Sequence, residues 1–194
     1  MSRMSSMSPA RRGIALVAGS ALAVVFATAV AAGPSGARHA DGTFIDASGA
    51  EIGSIHLVQD GQGIVHVNVK VDGLSAGLHG IHIHAVGSCA GPTFASAGGH
   101  YNPLVRQHGL ENPNGPHAGD LPNLIVDADG HGRLQAKTDR VTLSPGAGTL
   151  LDGDGSAFII HANPDDQVTD AGNGGSGPRI ACGVIVAGEP RPGV

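Results

Sequence analysis

The stretch "GLHGIHIHAVGSC", residues 77–89, decides how the middle of this chain folds. It places three histidines within six residues and ends on a cysteine. Its alternation predicts a β-strand, so the side chains of His82 and His84 should point to the same face, as a metal site requires. His79 lies three residues before His82 and should face the opposite side. An H-x-H pair alone is weak evidence, because incidental surface histidines produce the same pattern.

Short alternating apolar runs separated by turns surround this strand. In residues 64–71, "IVHVNVKV", the four valines share one face, and residues 123–143, 156–162 and 179–188 carry further strand patterns. The first strand is expected to begin only at Thr43, because residues 33–42 show little apolar alternation. His56, His66 and His131 are expected to be ordinary surface histidines. With 32 glycines and no helical period, the sequence predicts an all-β sandwich or barrel.

Two long polar segments interrupt the strand pattern, at residues 87–122 and 163–178. Structureless loops of this length in a compact domain are usually functional or disordered. The first loop carries three imidazoles and a carboxylate, a complete tetrahedral zinc set, on His100, His108, His117 and Asp120. A bound metal would order a loop that has little apolar content. The alternative is a solvated loop with scattered histidines.

Residues 1–32 have the pattern of a secretory signal peptide. Arg11 and Arg12 precede an apolar run, and Ala29-Val30-Ala31 fits an A-x-A cleavage site. The alternative is a membrane anchor, since the run is long enough to span a bilayer. Removing the segment leaves about 160 residues, enough for one domain with a proper core.

Composition and cysteine content narrow the class of protein further. The net charge is −5 and no basic cluster exists, which argues against a nucleic-acid partner. Cys89 and Cys182 are the only cysteines, and in an exported chain an even number indicates a disulfide. The alternative is two separate buried thiols.

Five motifs, in this order, carry a family resemblance. They are "GLHGIHIH" (77–84), "SAGGHYNP" (96–103), the H-x8-H-x2-D spacing from His108 to Asp120, "IIHANPDD" (159–166) and "GPRIACGVI" (177–185). On these motifs the chain resembles secreted bacterial copper/zinc superoxide dismutases. The resemblance implies an eight-stranded Greek-key β-barrel with two long functional loops. It covers residues 43–188, leaving a signal peptide at 1–32, a flexible segment at 33–42 and a tail at 189–194.

The resemblance also implies a paired metal centre with one copper and one zinc per chain. The implied copper ligands are His82, His84, His100 and His161, and the implied zinc ligands are His100, His108, His117 and Asp120. His100 would bridge the two metals and also act in catalysis. His161, at the end of "FIIH", belongs to this set by the resemblance.

Further roles follow from the resemblance for residues that bind no metal. Asp165 would accept hydrogen bonds from one copper histidine and one zinc histidine. Arg179 would attract the anionic substrate beside the copper. Cys89 and Cys182 would form the family's disulfide, and His79 would be structural.

The implied activity is dismutation of superoxide to dioxygen and hydrogen peroxide, by alternate reduction and reoxidation of the copper. The protein would then be an exported antioxidant enzyme with superoxide as substrate, without stable membrane insertion after signal removal, and compatible with a homodimer. A copper/zinc storage or delivery protein on the same fold is the alternative, and Arg179 favours catalysis. A copper-only relative is disfavoured by the complete zinc set.

The chain departs from the resemblance in its second long loop. Many family members place lysines there to draw superoxide in, whereas between Ala162 and Pro178 this chain has no lysine or arginine. The loop carries Asp165, Asp166 and Asp170 instead. Electrostatic steering by this loop is therefore expected to be weak. His39 is expected to lie in the flexible segment, with a spare metal ligand as the alternative.

Overall fold

The computed structural model of the chain describes Met1 and residues 38–171 and 173–188. The expected signal peptide after Met1, the expected tail at 189–194 and residues 33–37 lie outside the described residues. In the part of the chain that is described, no helix combines the length and apolarity needed to span a membrane.

Within residues 38–171 and 173–188, ten strands form the framework and are joined in antiparallel pairs. They are β1 (Arg38–Asp46), β2 (Glu51–Gln59), β3 (Val65–Val71), β4 (Gly77–His79), β5 (Ile81–His84), β6 (Leu124–Val126), β7 (Gly132–Thr138), β8 (Ala157–His161), β9 (Arg179–Val184) and β10 (Val186–Ala187). Two short 3₁₀ helices, Ala95–Ala97 and Asn173–Gly175, lie in the two long loops.

The strand order curves the sheet into a nearly closed β-barrel. Neighbours follow the order β4-β6-β7-β3-β2-β1-β9-β8-β5, with β10 also paired to β1. The two ends of this order, β4 and β5, are separated in sequence only by Gly80. Likewise, only Ile185 separates β9 from β10. Counting each of these pairs as one interrupted strand gives eight strands, and the return of β6 and β7 beside β3 makes a Greek key. The predicted fold class is confirmed.

The barrel core is built from the inward faces of the alternating strands. The four valines of β3, at positions 65, 67, 69 and 71, are each at most 2% exposed. Burying an aliphatic side chain of this size contributes about 1.5–3 kcal/mol. The outward histidines behave as expected: His66 is half-buried and lies 2.8 Å from Asp60 Oδ2, and the exposed His131 contacts Asp72.

The first strand begins at Arg38, earlier than the sequence pattern indicates. It pairs with β2 from Arg38↔Gln59 to Ile45↔Glu51, and Ala40 also pairs with β10. Small residues explain why alternation failed to reveal it. Ala40 is fully buried, and a Cβ added at Gly42 would lie 2.5 Å from the main-chain oxygen of Val184. Close backbone approach, rather than bulky apolar side chains, therefore holds this part of the strand.

The early start of β1 also changes the environment expected for His39. This residue lies in a paired strand, where its ring stacks on that of His56 with centroids 5.9 Å apart. His39 takes no part in the clusters of metal-binding side chains found among the described residues.

The two long loops pack against the barrel beside β5, β8 and β9. The first connects β5 to β6 and the second connects β8 to β9. A second, smaller core lies under the first loop and consists of Phe94, Ala97, Ala157, Ile159 and Cys182. Apolar burial thus fixes the start of a loop that is otherwise polar.

Candidate metal centre

Adjacent strands bring three of the predicted ligands together. His82 and His84 lie on β5, whose four residues are all buried. Strand β5 pairs with β8, which ends at His161, and the His161 N–H donates to Gly80 O at 2.8 Å. The first loop supplies His100, which forms an isolated bridge with His84. The H-x-H pattern therefore does place two imidazoles on one face.

One ring nitrogen of each of these histidines converges on a common point. The four residues, whose ligand atoms all lie within 4.8 Å of one another, are His82, His84, His100 and His161. In this group, the buried ring nitrogens that have no hydrogen-bond partner in the described part of the chain are His82 Nδ1, His84 Nε2, His100 Nε2 and His161 Nε2. An orphaned buried polar atom costs about 1–3 kcal/mol. Four at one point fit a metal ion, and an array of nitrogen donors suits Cu(II).

The second ring nitrogen fixes the tautomer of each strand histidine. His82 Nε2 lies 2.6 Å from Asp165 Oδ2, and both His84 Nδ1 and His161 Nδ1 lie 2.9 Å from main-chain oxygens, of Gly98 and Gly177 respectively. Because these partners are acceptors, the protons must sit on the nitrogens facing them. The converging nitrogens are therefore free lone-pair donors, as metal coordination requires.

Burial keeps these imidazoles in the metal-binding form. Desolvation lowers the pKa of His82 to about 3 and that of His161 to about 4, and it also lowers the pKa values of His84 and His100. Neutral imidazole is the species that binds metal.

A second group of donors surrounds the carboxylate of Asp120. Its Oδ1 atom lies 3.0 Å from His100 Nδ1, 3.1 Å from His108 Nδ1 and 3.3 Å from His117 Nδ1. Three nitrogens and a carboxylate oxygen suit zinc. His100 faces this group with Nδ1 and the first group with Nε2, so its ring lies between the two.

His82 lies close to both groups. A second set of ligand atoms that all lie within 4.8 Å of one another comes from His82, His100, His108 and Asp120. His117 is not part of this set, but its side chain is only 13% exposed and its Nδ1 lies 3.3 Å from Asp120 Oδ1. The structure thus brings together every residue that the sequence predicted as a metal ligand.

The carboxylate of Asp120 gives the second group a negative charge that would partly balance a bound cation. Burial alone would raise the pKa of Asp120, but hydrogen bonds from His100, His108 and the Gly109 N–H outweigh it and hold that pKa well below its usual range. Burial would lower the pKa of His108, but the carboxylates of Asp120 and Asp165 outweigh it and raise that pKa to about 9, so a metal bound here must displace the proton on His108 Nδ1. A buried carboxylate that stays ionised favours a bound cation at this point.

Asp165 links the two groups through its carboxylate. It lies 2.6 Å from His82 Nε2 and 3.0 Å from His108 Nε2, as the resemblance implied. The sequence reading missed Asn123, whose side-chain amide donates to Asp165 O and accepts from Asp165 N, both at 2.8 Å. No motif in a single sequence marks such a main-chain contact.

Arg179 is held beside the first group by main-chain oxygens. It pairs in register with His161, and its Nη1 and Nη2 donate to Phe94 O and Gly98 O, each at 2.6 Å. Gly98 O also accepts from His84, so one carbonyl connects the guanidinium to a strand histidine. Phe94 and Gly98 are further contributors that sequence reasoning did not identify.

The predicted disulfide is present and anchors the same loop. Cys89 and Cys182 are bonded, with Cα atoms 5.7 Å apart, which ties the first loop to β9. His79, by contrast, contacts main chain with both ring nitrogens, 2.7 Å from His161 O and 2.9 Å from Ser75 O. That geometry agrees with a structural, non-ligand role.

The fold and these contacts define a β-barrel protein with two adjoining groups of metal-binding side chains. The sequence model described as copper/zinc superoxide dismutase matches residues 51–185. The chain therefore belongs to the copper/zinc superoxide dismutase family, as the motifs predicted.

Relatives support the same assignment. Superoxide dismutase [Cu-Zn] 2 of Aquifex aeolicus is 44% identical over 144 residues, covering 73% of this chain and 82% of the relative. Superoxide dismutase [Cu-Zn] of Caulobacter vibrioides is 39% identical over 140 residues, with coverages of 71% and 79%. The crystal structure of a superoxide dismutase-like protein from Bacillus subtilis matches with a TM-score of 0.72 and 40% identity, covering 75% of this chain and 97% of that chain.

Proposed function

We propose that this protein dismutes superoxide to dioxygen and hydrogen peroxide at the four-imidazole group. The observation that carries the proposal is the convergence of four orphaned, buried ring nitrogens beside a guanidinium. Such a site offers a redox metal a fixed set of nitrogen donors and offers a small anion a positive charge.

Each chain would hold one copper and one zinc. Copper would be bound by the first group, His82, His84, His100 and His161. Zinc would be bound by the second group, His100, His108, His117 and Asp120. We place His117 rather than His82 in the zinc set because His82 Nε2 already contacts Asp165, while its Nδ1 is among the orphaned nitrogens of the first group.

Copper held by His82, His84, His100 and His161 would supply the one-electron chemistry of dismutation, taking an electron from one superoxide and passing it to a second. The residues of the chain do the remaining work. Arg179 attracts and orients the anion, because its guanidinium is fixed by two carbonyl oxygens. His100 would carry one proton, drawn from solvent, to the second superoxide, and water would supply the other proton of hydrogen peroxide. Asp165 keeps the rings of His82 and His108 in position.

Metal content and superoxide consumption of the purified mature protein test this proposal, alongside two variants with matched controls. His161→Ala should lose copper and activity, whereas the control His131→Ala, at an exposed histidine, should keep both. Arg179→Ala should keep both metals and lose much of its activity, whereas Arg133→Ala, an exposed arginine of β7, should behave like the wild type. Bound metals with negligible wild-type activity would instead indicate a metal storage or delivery protein.

We also propose that the chain is exported. The signal-peptide pattern of residues 1–32 and the disulfide between Cys89 and Cys182 support an oxidising, extracytoplasmic destination. The mature domain would then run from the first strand at Arg38 to Gly188, with residues 189–194 as a tail. N-terminal sequencing of exported protein tests the cleavage. Light scattering decides between monomer and homodimer, both of which leave the two metal groups within one chain.

A further inference from the structure

Arg140 is a half-buried arginine to which the proposed function gives no role. It follows the end of β7, and its Nη2 donates to the main-chain oxygen of Asp120 at 2.7 Å. Its Nε is buried and finds no hydrogen-bond partner among the residues that the structure describes. Every ion pair found among the described residues joins a histidine to an aspartate, so none involves this guanidinium. The carboxylates of Asp120 and Asp139 attract this partly buried guanidinium without forming an ion pair with it, so its hydrogen bond to Asp120 O is the contact that fixes its position.

A role for Arg140 follows from how Asp120 is held. Its Oδ1 faces three imidazoles, and its Oδ2 accepts the N–H groups of Gly109 at 2.9 Å and His117 at 3.0 Å. These contacts all come from the same long loop. Arg140 instead reaches Asp120 from the end of β7, and it contacts the third oxygen of the residue, the main-chain carbonyl.

Loss of the Arg140 contact would leave a buried carbonyl without a donor. Asp120 is fully buried, so water cannot readily replace the guanidinium. The main chain would then shift to give this oxygen another donor, and the carboxylate of Asp120 would shift with it. A guanidinium also repels a nearby metal cation, but this charge is half-exposed and screened by solvent, so the hydrogen bond should outweigh the repulsion.

We propose that Arg140 is a positioning residue for the zinc-binding group, holding the main chain of Asp120 so that Oδ1 meets the three imidazoles. The inference rests on the proposed function, since it assumes that this group binds zinc. The Arg140 contact comes from the barrel and adds to the contacts that the loop itself makes with Asp120.

The test is zinc affinity of the metal-free mature protein, measured by competition with a chromophoric chelator. Arg140→Met should weaken zinc binding about tenfold, the lower end of the range for groups that orient metal ligands. Arg140→Lys, which keeps a donor and the charge, should recover part of this loss. Arg133→Met, at an exposed arginine on β7, should bind zinc like the wild type. Visible absorption of the Co²⁺-substituted protein should shift in Arg140→Met only.

A purely structural role would give a different pattern. Arg140→Met would then melt at a lower temperature with and without zinc, while its zinc affinity and Co²⁺ spectrum matched the wild type, and this result would overturn the inference. Tighter zinc binding in Arg140→Met would also overturn it, because charge repulsion would then dominate. Failure of the wild type to bind zinc would be a failure of the proposed function, visible before any variant is compared.

Discussion

At the scale of single residues, the metal centre depends on which ring nitrogen each histidine commits to the protein. An acceptor holds one nitrogen of His82, His84 and His161, which leaves the other directed at the common point. Asp165 matters most among these acceptors, because it serves His82 and His108 at once. A single carboxylate thereby orients one histidine of each metal group.

We therefore expect Asp165→Asn to weaken the binding of both metals. Replacing the carboxylate with an amide removes the negative charge and one acceptor, and changes of this kind cost about 10–100-fold in metal affinity. Titration of metal-free protein with copper and with zinc measures the effect. Asp166→Asn, at the exposed neighbouring position, is the matched control and should bind both metals normally. Wild-type affinities in Asp165→Asn would show that the rings are oriented without this carboxylate.

The sequence predicted which side chains lie together in the candidate metal centre but missed the main-chain contacts that support them. The proposed ligands from His82 to His161 lie in motifs whose order and residue types indicate metal chemistry. The side chain of Asn123 bonds to the main chain of Asp165, whereas Phe94 and Gly98 contribute their own carbonyl oxygens. Every residue has such peptide groups. A single sequence carries no signature for such contacts.

At the scale of elements, strand alternation predicted the valine face of β3 but not the start of β1. Alternation reveals a strand only where bulky apolar residues mark its inner face. In β1 the inner positions near the start are held by small residues in close contact, such as Ala40 and Gly42. Pairing with β2 and β10, which depends on the whole fold, extends the strand to Arg38.

Close backbone approach also attaches the first loop to β5. Gly119 O accepts the Ile83 N–H at 2.9 Å, and a Cβ added at Gly119 would lie 2.3 Å from Ile83 O. We expect Gly119→Ala to lower the free energy of unfolding by about 1–3 kcal/mol, because backbone must move to admit the methyl group. Urea denaturation measures this. Gly61→Ala is the control, since a Cβ there meets nothing within 4 Å, and equal stability of the two variants would contradict the account.

The disulfide should stabilise both the fold and the position of Arg179. Removing it with Cys89→Ser and Cys182→Ser should cost about 2–5 kcal/mol, the usual range for a native disulfide. The loop that provides Phe94 O and Gly98 O would also loosen, so activity should fall more than metal content does. Denaturation, metal analysis and rate measurement on the same double variant check this. A variant with normal activity per bound copper would show that Arg179 stays in place without the disulfide.

At the scale of the whole molecule, electrostatics set how the substrate arrives. The chain has a net charge of −5, and its second long loop has acidic residues and no lysine or arginine. Asp166 and Asp170 of that loop are exposed. An anion approaching the site therefore meets little long-range attraction, and Arg179 should act mainly at short range.

We expect kcat/KM for superoxide to fall only shallowly as ionic strength rises, because strongly steered encounters are the ones that salt suppresses. Pulse radiolysis over a range of salt concentrations measures the slope. Asp166→Lys, which places a cation in the loop, should raise the rate at low salt and steepen the slope. A steep fall in the unmodified protein would mean that lysines or arginines elsewhere on the barrel steer the anion.

The most direct test of the central claim is a crystal structure of the mature, metal-loaded protein with anomalous scattering recorded at the copper and zinc absorption edges. Our account predicts copper among the orphaned nitrogens of His82, His84, His100 and His161. It predicts zinc beside Asp120, with the His100 ring between the two ions. A single metal per chain, or metals bound away from His100, would contradict the paired centre on which the proposed activity rests.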